Sequence, residues 1–203
     1  MKGLVTIAYW DTEQSARPPS LIGKIKGTPT IKFYKPMATK GKRGVKKKIV
    51  LDYNGAREAK PMRAYAIDQM PGFVERISGI DGKRGLAAFR AKAAKYNLPS
   101  AIALSKRSGT PMLKHASTAL RRRLLIGEAS MGKTNEAVAA ELGLDKAPGL
   151  VVFAADGETK TVYSNSKFSL RRVEAFLEKH ALSAPVGKKK KKKEEEEESK
   201  EEL

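Results

Sequence analysis

One ordered set of signals occurs twice in this chain, and that repetition limits the folds open to it more than any other feature. In the second copy Lys146-Ala147-Pro148-Gly149 reads as a turn and Leu150-Val151-Val152-Phe153 as a short apolar run. Asp156-Gly157 is a hairpin signal, Thr159 to Tyr163 alternates as a strand, and Leu170 to Leu177 has helical spacing. In the first copy Gly27-Thr28-Pro29 leads into Thr30-Ile31-Lys32-Phe33-Tyr34. A loop follows, then Ile49-Val50-Leu51-Asp52-Tyr53, then Asn54-Gly55 and a helix-like run to about Met70. A repeat of about 120 residues implies two copies of one unit built in the order proline, strand, hairpin, strand, helix.

Gly27-Thr28-Pro29-Thr30-Ile31-Lys32-Phe33-Tyr34, followed by Tyr53-Asn54-Gly55-Ala56-Arg57, resembles the C-terminal half of a thioredoxin domain of the protein disulfide isomerase family. Residues 72–182 resemble, more loosely, one of that family's redox-inactive thioredoxin-like domains, with Ala147-Pro148 at the proline-loop position and Tyr163 at the tyrosine position. The fold class implied is α/β: one incomplete and one complete thioredoxin-like unit, each a mixed sheet flanked by helices. The division expected is 1–70, 72–182 and a disordered Lys/Glu tail over 183–203. The resemblance also implies that Pro29 is cis and that its loop exposes backbone able to pair with an extended client polypeptide, which makes Thr28 and Pro29 the peptide-binding candidates. A tight turn ahead of a strand explains the same two residues equally well. Tyr53, Gly55 and Arg57 read as packing and turn residues.

Composition removes the activity for which that family is known. Among 203 residues there is no cysteine, so no thiolate nucleophile and no thiol–disulfide exchange can arise on this chain. His115 and His180 are the only histidines, which argues against a zinc site, and no catalytic triad or paired-acid pattern can be read out, so no cofactor or metal is expected. No apolar run reaches the roughly 18 residues needed to cross a bilayer. The net charge of +19 lies in the body of the chain, because residues 188–203 balance seven Lys with seven Glu. Such a field favours acidic partners, whether nucleic acid, an acidic membrane surface or an acidic protein.

Taken in order, Leu4 to Trp10 reads as a short buried strand, the third of a thioredoxin domain by the resemblance. The first two strands, the first helix and a Cys-x-x-Cys helix would then precede Met1. On that reading the chain is a piece of a longer product, whose parent would be a thiol–disulfide oxidoreductase or isomerase. Lys40-Gly41-Lys42-Arg43-Gly44-Val45-Lys46-Lys47-Lys48 sits in the hairpin position and reads as an inserted basic loop, either solvated or in contact with an acidic partner or phosphate. Ala59 to Met70 is a helix with Pro61 in its first turn. After the break at Pro71-Gly72, Phe73 to Ile77 alternates as a strand. A helix over 84–96 would bury Leu86, Phe89, Ala93 and Tyr96 on one face. The elements that follow are a strand over 101–104, a basic helix over 111–123, a strand over 124–126 and a helix over 135–142.

Two further motifs point to function. Gly127-Glu128-Ala129-Ser130-Met131-Gly132-Lys133-Thr134 satisfies the phosphate-loop pattern, in which backbone N–H groups cradle phosphates while Lys133 and Thr134 reach the terminal phosphate and magnesium. The short chain beyond it and its place in the repeat count against a nucleotide enzyme. Lys200-Glu201-Glu202-Leu203 resembles an endoplasmic-reticulum retrieval signal. The function expected is a non-catalytic client-binding module of the endoplasmic reticulum. The alternatives are a nucleotide-binding protein or a basic nucleic-acid- or ribosome-associated protein using Lys40 to Lys48, Arg121-Arg122-Arg123 and Lys188 to Lys193, cytoplasmic or nuclear.

Overall fold

A computed structural model describes residues 4–14, 22–23, 25, 27–40, 46–165 and 167–187. The first unit is an antiparallel pair, β1 (Lys32–Lys40) and β2 (Lys46–Asp52), followed by helix α1 (Ala59–Gln69). The second contains β3 (Glu75–Ile77), α2 (Leu86–Lys95), β4 (Ser100–Ser105), α3 (Pro111–Ala119), β5 (Leu125–Ser130), α4 (Glu136–Leu142), β6 (Gly149–Phe153), β7 (Lys160–Val162) and α5 (Leu170–His180). Its sheet runs in the order β3-β5-β4-β6-β7, with β3, β5 and β4 parallel and β6 and β7 antiparallel to their neighbours. This mixed sheet, flanked by helices, is the thioredoxin-like α/β architecture.

The two central strands account for the continuous apolar runs. All of β6 and five of the six residues of β4 are buried, because a strand covered on both faces has no polar side to alternate with. Ile102, Leu104, Val151 and Phe153 face α2 and α4, where Leu86, Phe89, Val138 and Leu142 complete one core. Ala101, Ala103, Leu150 and Val152 face the other way, against Leu113, Ala116, Leu120, Val173 and Leu177 of the α3 and α5 side. In α5 the four-residue spacing of Val173 and Leu177 turns one stripe inward. The Asp156-Gly157 turn closes β6 onto β7, with Gly157 at φ +79°. There Asp156 Oδ1 accepts hydrogen bonds from the Glu158 and Thr159 main-chain N–H groups, both at 2.9 Å.

The repeat holds at the level of hydrogen bonds. The Tyr53 N–H donates to the Ile31 carbonyl and the Tyr163 N–H to the Leu150 carbonyl, both at 2.9 Å, each acceptor lying two residues after its proline. Register is preserved: Lys32 opposes Asp52 as Val151 opposes Val162, and Phe33 opposes Leu51 as Val152 opposes Thr161. Both tyrosines pack on aromatic residues of the following helix, Tyr53 on Tyr65 and Tyr163 on Phe176, with centroids 5.0 and 5.1 Å apart.

Several expectations are corrected. Leu4 to Trp10 forms no strand, and Ile7 and Tyr9 are 92% and 94% exposed, since no sheet edge reaches them. Tyr96 ends α2 pointing outward, 43% exposed, because the helix stops at Lys95 and the chain turns away. The basic helix over 111–123 ends at Ala119, and the chain turns through Arg122 at φ +65°. The basic hairpin segment is shorter than a loop over Lys40 to Lys48: Lys40, Lys46, Lys47 and Lys48 belong to β1 and β2, with Lys40 opposite Lys46. Lys42 and Arg43 lie outside the described residues, as do Lys188 to Lys193 and Lys200, Glu201, Glu202 and Leu203.

Candidate functional site: the paired proline loops

Each unit carries its proline at the entry to the strand that follows. The Thr28–Pro29 and Ala147–Pro148 peptide bonds are both cis. Gly27, Thr28, Pro29 and Thr30 are all exposed, whereas Ala147 packs against the α2 and α4 core, leaving Pro148 exposed beside it. Among the described residues the Thr28 main chain has no hydrogen-bond partner.

Residues that read from sequence as mere turn formers hold the first loop in place. Arg57 Nη2 donates to the Pro29 carbonyl at 2.9 Å, bridging from the chain leading into α1 to the loop 28 positions earlier. The Thr30 hydroxyl donates to the Gly27 carbonyl across the same turn. Arg57 is itself set by the tyrosine motif. The Tyr53 hydroxyl donates to the Ala56 carbonyl at 2.7 Å, and its ring lies so close over Gly55 that a Cβ there would sit 2.7 Å from the hydroxyl oxygen. Tyr163 repeats part of this, its hydroxyl donating to the Lys167 carbonyl at 3.1 Å. A planar guanidinium suits such a post, since it donates in fixed directions. The result is an exposed turn at Thr28–Pro29 whose Pro29 carbonyl is already committed to Arg57.

The phosphate-loop candidate is not assembled. Gly127, Glu128, Ala129 and Ser130 lie in β5, opposite Glu75 to Ile77 on one side and Ile102 to Ser105 on the other. In an extended chain successive N–H groups point to alternate edges, so they cannot converge on a phosphate. Gly127 is needed for packing: a Cβ there would meet Ile77 Cδ1 at 2.7 Å and Phe89 Cε2 at 2.9 Å. Gly132 precedes a single 3₁₀ turn, Lys133 to Asn135, which leads into the seven-residue α4.

The stretch instead supplies two buried polar supports that sequence reading missed. Glu128 is 2% exposed and accepts hydrogen bonds from the Gly109 N–H at 2.6 Å, the Thr110 N–H at 3.4 Å and the Thr110 hydroxyl. It thereby caps α3, which has no capping side chain of its own, from a neighbouring strand, and its negative charge faces the positive end of that helix. Asn135 accepts from the Gly79 N–H at 2.9 Å and donates to the Ser130 carbonyl at 2.7 Å, tying the ends of β3 and β5 together. An isolated Glu in an apolar strand was the one available signal, and it was hidden inside the phosphate-loop pattern.

The three consecutive arginines proposed for nucleic acid are largely occupied. Arg121 stacks on Phe73 at 4.0 Å, Arg122 exchanges hydrogen bonds with Val186, and Arg123 pairs with Glu178. No helix among the described residues is long and apolar enough to cross a membrane, and no group of three or more His, Asp or Glu could hold a metal ion there.

No family model matches the sequence, and no curated protein sequence matches it. Solved structures with a similar chain path include the zinc-bound form of human ERp44, at 11% identity and a TM-score of 0.42, covering 69% of this chain and 35% of that one. Full-length ERdj5 aligns at 12% identity and a TM-score of 0.46, covering 79% of this chain and 22% of that one. The J-Trx1 fragment of ERdj5 aligns at 16% identity and a TM-score of 0.41, covering 62% and 61%. The chain thus spans between about a fifth and three fifths of the chains it aligns with. The thioredoxin-like assignment rests on the strand order and the helices that flank the sheet, independently of these likenesses.

Proposed function

We propose that this chain is a non-catalytic thioredoxin-like module that binds extended client polypeptide at the Thr28–Pro29 loop. The observation that carries the reading is the loop itself: an exposed proline turn with an unpartnered Thr28 main chain, held from behind by Arg57. A backbone-directed contact suits clients of varied sequence, because main-chain hydrogen bonds are common to all of them. Without cysteine the interaction ends in binding and release rather than in disulfide exchange. The endoplasmic reticulum is the compartment this reading assigns, on the resemblance of the Gly27–Tyr34 and Tyr53–Arg57 motifs to protein disulfide isomerases and on the Lys200-Glu201-Glu202-Leu203 sequence.

The test is site-specific photocrosslinking in the full chain. A benzophenone side chain at position 28 is expected to capture a reduced, unfolded client well above a control at Glu158, an exposed residue in the β6–β7 turn. Equal capture at both positions would refute the proline loop as the binding site. Localisation of the tagged chain outside the endoplasmic reticulum would refute the compartment alone.

A further inference from the structure

A cavity of about 610 Å³ lies between β3 and α2 of the second unit, and no residue of either proline loop lines it. One side of α2 faces this space: Gly85, Ala88, Phe89 and Lys92 recur at the three- and four-residue spacing of a single helix face. Gly85 has no side chain and Ala88 only a methyl group, while Phe89 turns into the core at 3% exposure, so the space beside β3 stays unfilled. From Gly85 to Lys92 the cleft runs about 10 Å, at roughly 1.5 Å per helical residue.

Charge around the cleft is one-sided. Arg76, Lys83, Arg84 and Lys92 border it with a single carboxylate, Glu75, which is already paired with Lys92. Among the described residues Arg76, Lys83 and Arg84 enter no ion pair, and all three are exposed. The main chain that carries Lys83 and Arg84 is nonetheless fixed. The Ser78 N–H donates to the Arg84 carbonyl at 2.8 Å, and the Gly85, Leu86 and Ala87 N–H groups donate to the Gly82, Gly79 and Ile80 carbonyls at 3.0, 3.0 and 2.9 Å. The first N–H groups of α2 are thus spent inside this loop, so the pull on an anion comes from the side-chain cations and not from the helix terminus. Exposed ion pairs contribute little one at a time, which favours a ligand that brings several carboxylates together. An extended acidic peptide does so: about three residues span the cleft at roughly 3.3 Å each, and a small apolar side chain among them meets Val74 and Ala88. Nucleic acid fits less well, because the one aromatic residue lining the cleft is the buried Phe89, which offers no ring for a base to stack on, and Glu75 adds a carboxylate to the wall.

We propose that the cleft between β3 and α2 binds an acidic segment of an extended polypeptide, with two adjacent carboxylates meeting Lys83 and Arg84 and a following apolar residue against Val74 and Ala88. This second site goes beyond the Thr28–Pro29 reading and stands or falls apart from it.

The probe is a rhodamine-labelled short peptide in which two adjacent glutamates precede valine and alanine, titrated with the full chain at physiological salt and read by anisotropy. Replacing both glutamates by glutamine is expected to weaken binding at least about tenfold, as is Lys83→Glu combined with Arg84→Glu, with circular dichroism checking the fold. Arg171→Glu combined with Lys179→Glu changes the net charge by the same amount at exposed positions of α5, and is expected to leave binding within about twofold. Equal weakening by the two double variants overturns the site, since the attraction would then belong to the charge of the whole chain. Absence of binding by the wild type, or binding of the glutamine peptide within about twofold of the glutamate one, overturns it without any protein variant. A single-stranded oligonucleotide that displaces the peptide, and that loses affinity in the Lys83→Glu, Arg84→Glu variant to the same extent, would assign the cleft to nucleic acid and overturn the peptide as its occupant.

Discussion

Glu128→Gln tests whether the phosphate-loop pattern is a structural support in this fold. Glu128 lies in β5 with 2% exposure and receives two main-chain N–H groups and a hydroxyl from Gly109 and Thr110. A hydrogen bond to a charged group contributes about 1.5–3 kcal/mol, and leaving a buried donor unmet costs a further 1–3 kcal/mol or so. Glutamine keeps one oxygen for the Gly109 N–H but turns an NH₂ toward the Thr110 donors, so the loss should be about 2–4 kcal/mol. For a chain of this size each kcal/mol shifts Tm by about 2–4 °C, which places the variant roughly 5–15 °C below wild type. Thermal unfolding followed at 222 nm measures this. The cycle with Thr110→Val isolates the coupling, expected above about 1 kcal/mol because the residues touch. A shift under about 0.5 kcal/mol, or additive losses in the double variant, would refute the capping role.

Gly127→Ala should destabilise by about 1–3 kcal/mol, because its methyl group meets Ile77 and Phe89 at under 3 Å; unchanged denaturant midpoints would contradict that packing. Magnesium–ATP should leave Tm unchanged in wild type and Lys133→Ala alike, and a concentration-dependent rise in wild type alone would restore a nucleotide site. Arg57→Ala should lower client crosslinking from position 28 and cost about 0.5–1.5 kcal/mol, while Arg57→Lys restores the charge without the fixed donor geometry and recovers the activity only in part. Asp156 is held below the ordinary carboxylate range by the Thr159 hydroxyl first, then by the Thr159 and Glu158 N–H groups. Its lowered pKa means that its contribution is full above about pH 4 and is lost as pH falls through the folded value, so acid unfolding should be steeper in wild type than in Asp156→Asn. Identical acid limbs would argue against the turn bonds.

What the sequence determined by itself was the local grammar. The proline–strand–hairpin–strand–helix order, repeated at Pro29 and Pro148, placed β1, β2, α1, β6, β7 and α5, because turn chemistry and hydrophobic period act over a few residues and need no distant partner. The absence of cysteine closed off thiol chemistry without any structure. Tertiary structure alone decided the rest. Leu4 to Trp10 has the composition of a strand, but a strand needs an edge to pair with, and no local pattern reveals whether one is there. Gly127 to Thr134 fits a loop pattern residue by residue, yet β3 and β4 draw its first half into a ladder, and only their approach from both sides could do so. Arg57 is unremarkable in sequence and becomes the support of the proline loop because folding brings Pro29 to its guanidinium. Contacts of that kind join residues far apart in the chain, so their consequences appear only once the sheet and its helices have closed around them.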